Sequence, residues 1–127
     1  MGINVLLWVV QGMLAALFLF AGGMKLMLPL EAPAGPIALP GLFLRFIGVA
    51  EVAGALGLVL PSLLKIQPRL TPVAAAGLVI IMIGATLLTG IAGPIAMAAL
   101  PAVVGVLAGF VAYGRARMSP ISPRLLA

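Results

Sequence analysis

The chain has 127 residues, of which 65% are apolar and only 7% charged, with a formal net charge of +5. So few charges cannot clothe a soluble fold, and a chain this short has no core large enough to hide the apolar remainder. The composition excludes a soluble domain and a basic nucleic-acid-binding domain, and it assigns the apolar excess to a bilayer.

The first apolar stretch is uncharged from Gly2 to Gly23, beyond the ~20 residues that a helix needs to cross ~30 Å of hydrocarbon. It predicts a span over about 3–27. Met1-Gly2-Ile3-Asn4 lacks a basic n-region and the run is too long for a typical cleaved signal, so the span is expected to be retained. Leu6 stands where a myristoylation motif on Gly2 wants Ser or Thr. A loop rich in Pro and Gly follows from Pro29 to Leu42.

The second span is expected over about 43–61, interrupted by Arg45 and Glu51 and closed by Pro61, Ser62, Lys65, Pro68 and Arg69. The third is expected over 70–89 and the fourth over 94–113. Only the segment Thr89 to Pro94 separates these two, which predicts a tight helical hairpin with Pro94 in a first helical turn. The runs are continuously apolar, without the period of two that lipid-facing strands require, so a β-barrel is excluded. The predicted fold is an all-α integral membrane four-helix bundle forming one domain over residues 1–127.

Lys and Arg in short loops concentrate on the cytoplasmic side. With four spans, one face holds Lys65, Arg69, Arg115, Arg117 and Arg124, and the other holds Lys25, Arg45 and Glu31. A multi-pass protein of the cytoplasmic membrane with both termini in the cytoplasm is the expectation. The basic excess reads as contact with anionic membrane lipids, and no nucleic-acid partner is expected.

Small residues let helix backbones approach where lipid leaves no hydrophobic drive between helices. Span four carries Ala98, Ala102, Gly105 and Gly109 as one stripe; span two has Ala50, Gly54 and Gly57; span one has Gly12 and Ala16; span three has Gly77 and Gly84. The plain reading is packing within the chain, and the sharper one is a homo-oligomer interface on the span-four stripe. Pro101 cannot donate to the Met97 carbonyl, so a kink is expected there. It either adjusts shape or opens a ligand cavity near Thr86 or Thr89.

Glu51 is the most informative residue, because an ionisable group inside a membrane helix is costly and is kept facing the protein, paired or protonated. Arg45 is six residues away, or ~240° around the helix, so it does not share the face of Glu51 and reads as an interfacial anchor. Lys25 ends span one at the face where span two begins, and its long stem can reach inward. Either Lys25 and Glu51 form a packing pair, or Glu51 is a proton-linked or ligand-binding group.

Phe20-Ala21-Gly22-Gly23-Met24-Lys25-Leu26 and the segment Arg45-Phe46-Ile47-Gly48-Val49-Ala50-Glu51 through Pro61 resemble the DoxX-like small membrane proteins. The likeness covers spans one and two and is generic in spans three and four. It implies a four-helix membrane protein whose motif positions map onto Gly22, Lys25, Gly48 and Glu51. Some members of that family are subunits of a thiosulfate:quinone oxidoreductase and others are linked to membrane redox or detoxification complexes, so the family predicts fold better than reaction.

The sequence contains no Cys, no His and no Asp. That removes Cys- or His-ligated haem, iron–sulfur clusters and the usual zinc sites, so no metal site is expected. Ser62, Ser119 and Ser122 have no His to activate them, and no catalytic residue is assigned. The first expectation is a non-catalytic subunit or anchor of a membrane redox complex with a partner protein and a quinone or lipid pocket. The alternatives are a proton-linked carrier or channel protomer using Glu51, and, last, an autonomous quinone-linked oxidoreductase.

Overall fold

The computed structural model describes residues 2–27 and 41–122. Four helices follow one another: α1 (Gly2–Met27), α2 (Gly41–Leu64), α3 (Leu70–Ala92) and α4 (Ala99–Tyr113). A 3-10 turn, Ile95–Ala98, leads into α4, and a turn of π-helix, Gly114–Met118, follows it. Each of the four helical stretches is long and apolar enough to cross a membrane, and no strand is present among the described residues. The chain is an all-α membrane four-helix bundle.

Sequential helices pack side by side, α1 on α2, α2 on α3 and α3 on α4, and α4 returns to α1 to close the ring. In α1 the buried residues Leu7, Val10, Gln11, Leu14, Ala15, Phe18 and Gly22 recur at steps of three and four, the stripe of a helix with one inward face. They meet Ala55 and Leu58 of α2, Ala75, Leu78 and Met82 of α3, and Val104, Ala108 and Val111 of α4. The opposite faces expose large apolar side chains such as Met13, Phe46, Ile80 and Val106, which only lipid can cover without cost.

α2 runs through Pro61 to Leu64 instead of ending at the proline. Pro61 lacks the N–H that would bond the Gly57 carbonyl, and the Thr71 hydroxyl of α3 donates to that oxygen at 3.1 Å. With the proton of Thr71 committed, the Ser62 hydroxyl is the donor in their 2.7 Å contact. A neighbouring helix thus completes the bond that proline removes, the usual way a membrane helix keeps an internal Pro. Lys65 then takes a left-handed φ of 56° immediately past the helix end, the conformation that stops a helix.

Pro101 falls in the first turn of α4, where an absent N–H costs little, and the expected disruption takes the form of the 3-10 turn before it. Pro94 stands at the cap of that turn with extended backbone, one residue short of the helical position expected for it. Glu31, Arg124 and the loop from Pro29 to Pro40 lie outside the described residues.

Candidate functional site

The α1–α2 crossing is built on two glycines. A Cβ on Gly22 would lie 2.8 Å from the Gly48 carbonyl oxygen, and a Cβ on Gly48 would lie 3.0 Å from the Gly22 carbonyl oxygen and from Lys25 Cβ. Only hydrogen atoms fit at such a separation, so the backbones touch there.

Each glycine is followed three residues later by a charge, Lys25 on α1 and Glu51 on α2. In antiparallel helices these two positions sit ~9 Å apart along the bundle axis, one above the crossing and one below it. A helical Cβ leans toward the N-terminus of its own helix, so the two side chains lean toward each other and close that gap. Lys25 Nζ stands 2.8 Å from Glu51 Oε1, with side-chain exposures of 26% and 3%. The contact makes no hydrogen bond of acceptable angle, so buried Oε1 is held by charge alone. Arg45 lies half-buried in the first turns of the same helix.

The small residues divide by location. Gly54 packs on Leu78 and Gly57 on Ala74, fixing α2 to α3; a Cβ at Gly57 would stand 2.6 Å from that of Ala74. Gly105 meets Met82, Gly109 lies in ordinary contact range of Val79, and Ala98 is near Gly90, so these parts of the span-four stripe face α3. Ala50 is half-buried. Gly12, Gly77 and Gly84 face open space, and Ala16 is exposed, so these four small residues of spans one and three do not pack within the chain as expected. Ala102 and Pro101 line an apolar groove of about 320 Å³ between α3 and α4. Thr86 also lines it but donates its hydroxyl to the Met82 carbonyl at 2.7 Å; Thr89 is not among the lining residues.

A second polar centre was not foreseen. Arg115, counted in the sequence as one more interfacial cation, is 3% exposed. Its Nε donates to Gln11 Oε1 at 2.6 Å, and Nη1 donates to Asn4 Oδ1 and to the Ser119 carbonyl, both at 2.8 Å. Gln11 Nε2 continues the chain to the Leu58 carbonyl at 2.5 Å, and the guanidinium lies 5.3 Å from the centre of the Trp8 ring. The signal was present in the sequence: Asn4 and Gln11 are seven residues apart, hence on one face of an otherwise apolar helix that needs a polar partner. What hid the partner is the continuation of the helix past Tyr113 as a turn of π-helix, which carries the buried stripe of Val104, Ala108 and Val111 on to Arg115.

Comparison with curated proteins and with solved structures gave no match. The sequence model of the DoxX-like family matches residues 9–111, a stretch that contains the glycine crossing and both members of the ion pair, and the chain belongs to the DoxX-like family.

Proposed function

We propose that this protein is a non-catalytic subunit or anchor of a membrane redox complex, and that the Lys25–Glu51 pair is the polar point at which a quinone or lipid docks. The observation that carries the reading is the asymmetry of the pair: the Glu51 side chain is 3% exposed and the Lys25 side chain 26%. The pair therefore leaves its cationic member the more exposed, and Lys has three N–H donors, none of them in a well-angled hydrogen bond to Glu51 Oε1. Such a group suits a hydrogen-bond acceptor in a low-dielectric site, such as a quinone carbonyl or a lipid ester. A sequence with no Cys, His or Asp supplies no ordinary redox centre of its own, so a partner would carry the chemistry.

The proposed setting is the cytoplasmic membrane with both termini in the cytoplasm, supported by Lys65, Arg69, Arg115 and Arg117 at one end of the bundle. Because the chain has no Cys, a single cysteine introduced at Arg117 can be labelled from each side of intact vesicles; labelling from the periplasmic side alone overturns this orientation.

The main test is native mass spectrometry of protein released gently from its own membrane, wild type against Glu51→Gln. A defined partner or quinone that is retained by wild type and lost in the variant is the expected result. A lone, ligand-free protein in both samples overturns the subunit reading. One observation favours a second reading, a proton-linked carrier: Glu51 is the one acidic side chain among the described residues, and it is buried within a membrane-length helix. Flux into proteoliposomes that is abolished in Glu51→Gln supports it, and flux unchanged in that variant removes it.

A further inference from the structure

At the end of the bundle away from Lys25 and Glu51, a pocket of about 870 Å³ opens between the α2–α3 connection and the chain that follows α4. Three cations line it: Lys65, Arg69 and Arg115. No carboxylate lines it, and Glu51, the one acidic side chain among the described residues, is paired with Lys25 elsewhere. The positive charge here is without a counter-ion among the described residues.

Arg115 makes the site more than a patch of surface charge. Its guanidinium has five N–H donors, and three bonds, to Gln11, Asn4 and Ser119, use those on Nε and Nη1. Nη2 is buried with no hydrogen-bond partner, although the residue as a whole is 97% withdrawn from solvent (3% exposed). Burying a cation with donors unspent is costly, and the cost is relieved when an anion enters beside it. The guanidinium fork matches the spacing of phosphate oxygens, and Lys65 and Arg69 add charge on the same lining. Val73 and Ala76 of α3 and Ala112 of α4 supply an apolar wall. Charge and hydrocarbon in one pocket at a membrane surface suit an anionic headgroup with its acyl chain against the wall.

We propose that this pocket binds a phosphate-bearing anion, supplied by the headgroup of an anionic phospholipid or by free phosphate. The chain contains its own reporter, since Trp8 is its one tryptophan and lies under the Arg115 guanidinium. The experiment titrates the full chain in a non-ionic detergent and follows Trp8 emission. The probes are short-chain phosphatidylglycerol, phosphatidylcholine of the same chain length, and inorganic phosphate.

A saturable change with phosphatidylglycerol, at least about tenfold weaker with phosphatidylcholine, is expected. Lys65→Gln and Arg69→Gln should each weaken that binding by about fivefold or more, whereas Arg117→Gln, an exposed cation outside the pocket, should change it less than about twofold. Inorganic phosphate that saturates the signal and displaces the lipid identifies free phosphate as sufficient; phosphate that does neither, beside a saturating lipid, identifies the headgroup. Equal response to the two lipids overturns the proposal, as does no response to phosphatidylglycerol or phosphate from a protein that melts normally. So does equal weakening by Arg117→Gln, which would reduce the effect to general surface attraction.

Discussion

Gly22 and Gly48 oppose each other across the α1–α2 crossing so closely that a methyl group on either would strike the other's carbonyl oxygen. The obstructing atoms are backbone, so neither can swing aside as a side chain would. Because Lys25 and Glu51 each follow their glycine by three residues, the glycine contact also sets the separation at which the charges meet.

Gly22→Ala should therefore destabilise the bundle by about 1–2 kcal/mol, an overpacking cost offset in part by the better helix propensity of Ala. Gly23→Ala is the matched comparison, since a Cβ there meets nothing within 4 Å and the substitution should be neutral or mildly stabilising. Unfolding of the two variants in detergent, read by loss of helical circular dichroism, checks the contrast.

The ion pair predicts an order of stabilities. Lys25→Met leaves the Glu51 carboxylate buried without its counter-charge and should cost about 3 kcal/mol, whereas Glu51→Gln leaves a half-solvated Lys25 that can turn outward and should cost less. Combining them should recover most of the Lys25→Met loss, because the stranded charge is then gone. A double-mutant cycle in mixed micelles measures the coupling, and additive losses would mean that the 2.8 Å contact contributes nothing.

The four spans were legible because membrane helices must satisfy their backbones internally and so advertise themselves as long apolar runs. Lys25 and Glu51 could be paired on paper because they sit near the same end of consecutive antiparallel helices. Arg115 could not be placed that way. A cation at the end of a last span reads as an interfacial anchor, and its place on the inward stripe of Val104, Ala108 and Val111 shows only once the helix is seen to continue through Gly114–Met118. Pro61 misled for a related reason: a proline marks a break in one chain segment read alone, while its rescue by Thr71 comes from another helix.

That rescue can be tested as a coupling. Thr71→Val removes the donor to the Gly57 carbonyl and the acceptor for Ser62, and should cost about 1–2 kcal/mol. In a Pro61→Ala background the helix regains its own N–H for Gly57, so the same Thr71→Val change should cost about half as much or less. Equal costs in the two backgrounds, measured by thermal unfolding in detergent, would show that Thr71 does not compensate for the proline.

Arg115 holds the α1–α4 seam, where Leu7 also packs against Gly114 so closely that a Cβ there would stand 2.6 Å from Leu7 Cδ2. Arg115→Lys keeps the charge but offers one nitrogen where two separate ones, Nε and Nη1, now reach Gln11, Asn4 and Ser119. It should cost about 1.5–3 kcal/mol, the range for lost hydrogen bonds to a charged group. Arg115→Leu removes the buried charge yet strands Gln11 Oε1, so on its own it should be no better. Adding Gln11→Leu to it removes the stranded acceptor, and the Leu58 carbonyl that Gln11 served lies within α2 and is available to that helix's own N–H groups. The apolar double variant should then recover toward wild-type stability, as buried ionic networks replaced by well-packed apolar side chains often do. Such a recovery, seen in melting followed by Trp8 emission, would mean that the Arg115 cluster is not needed to hold the helices together and would leave its unspent Nη2 donors to be explained by what they bind.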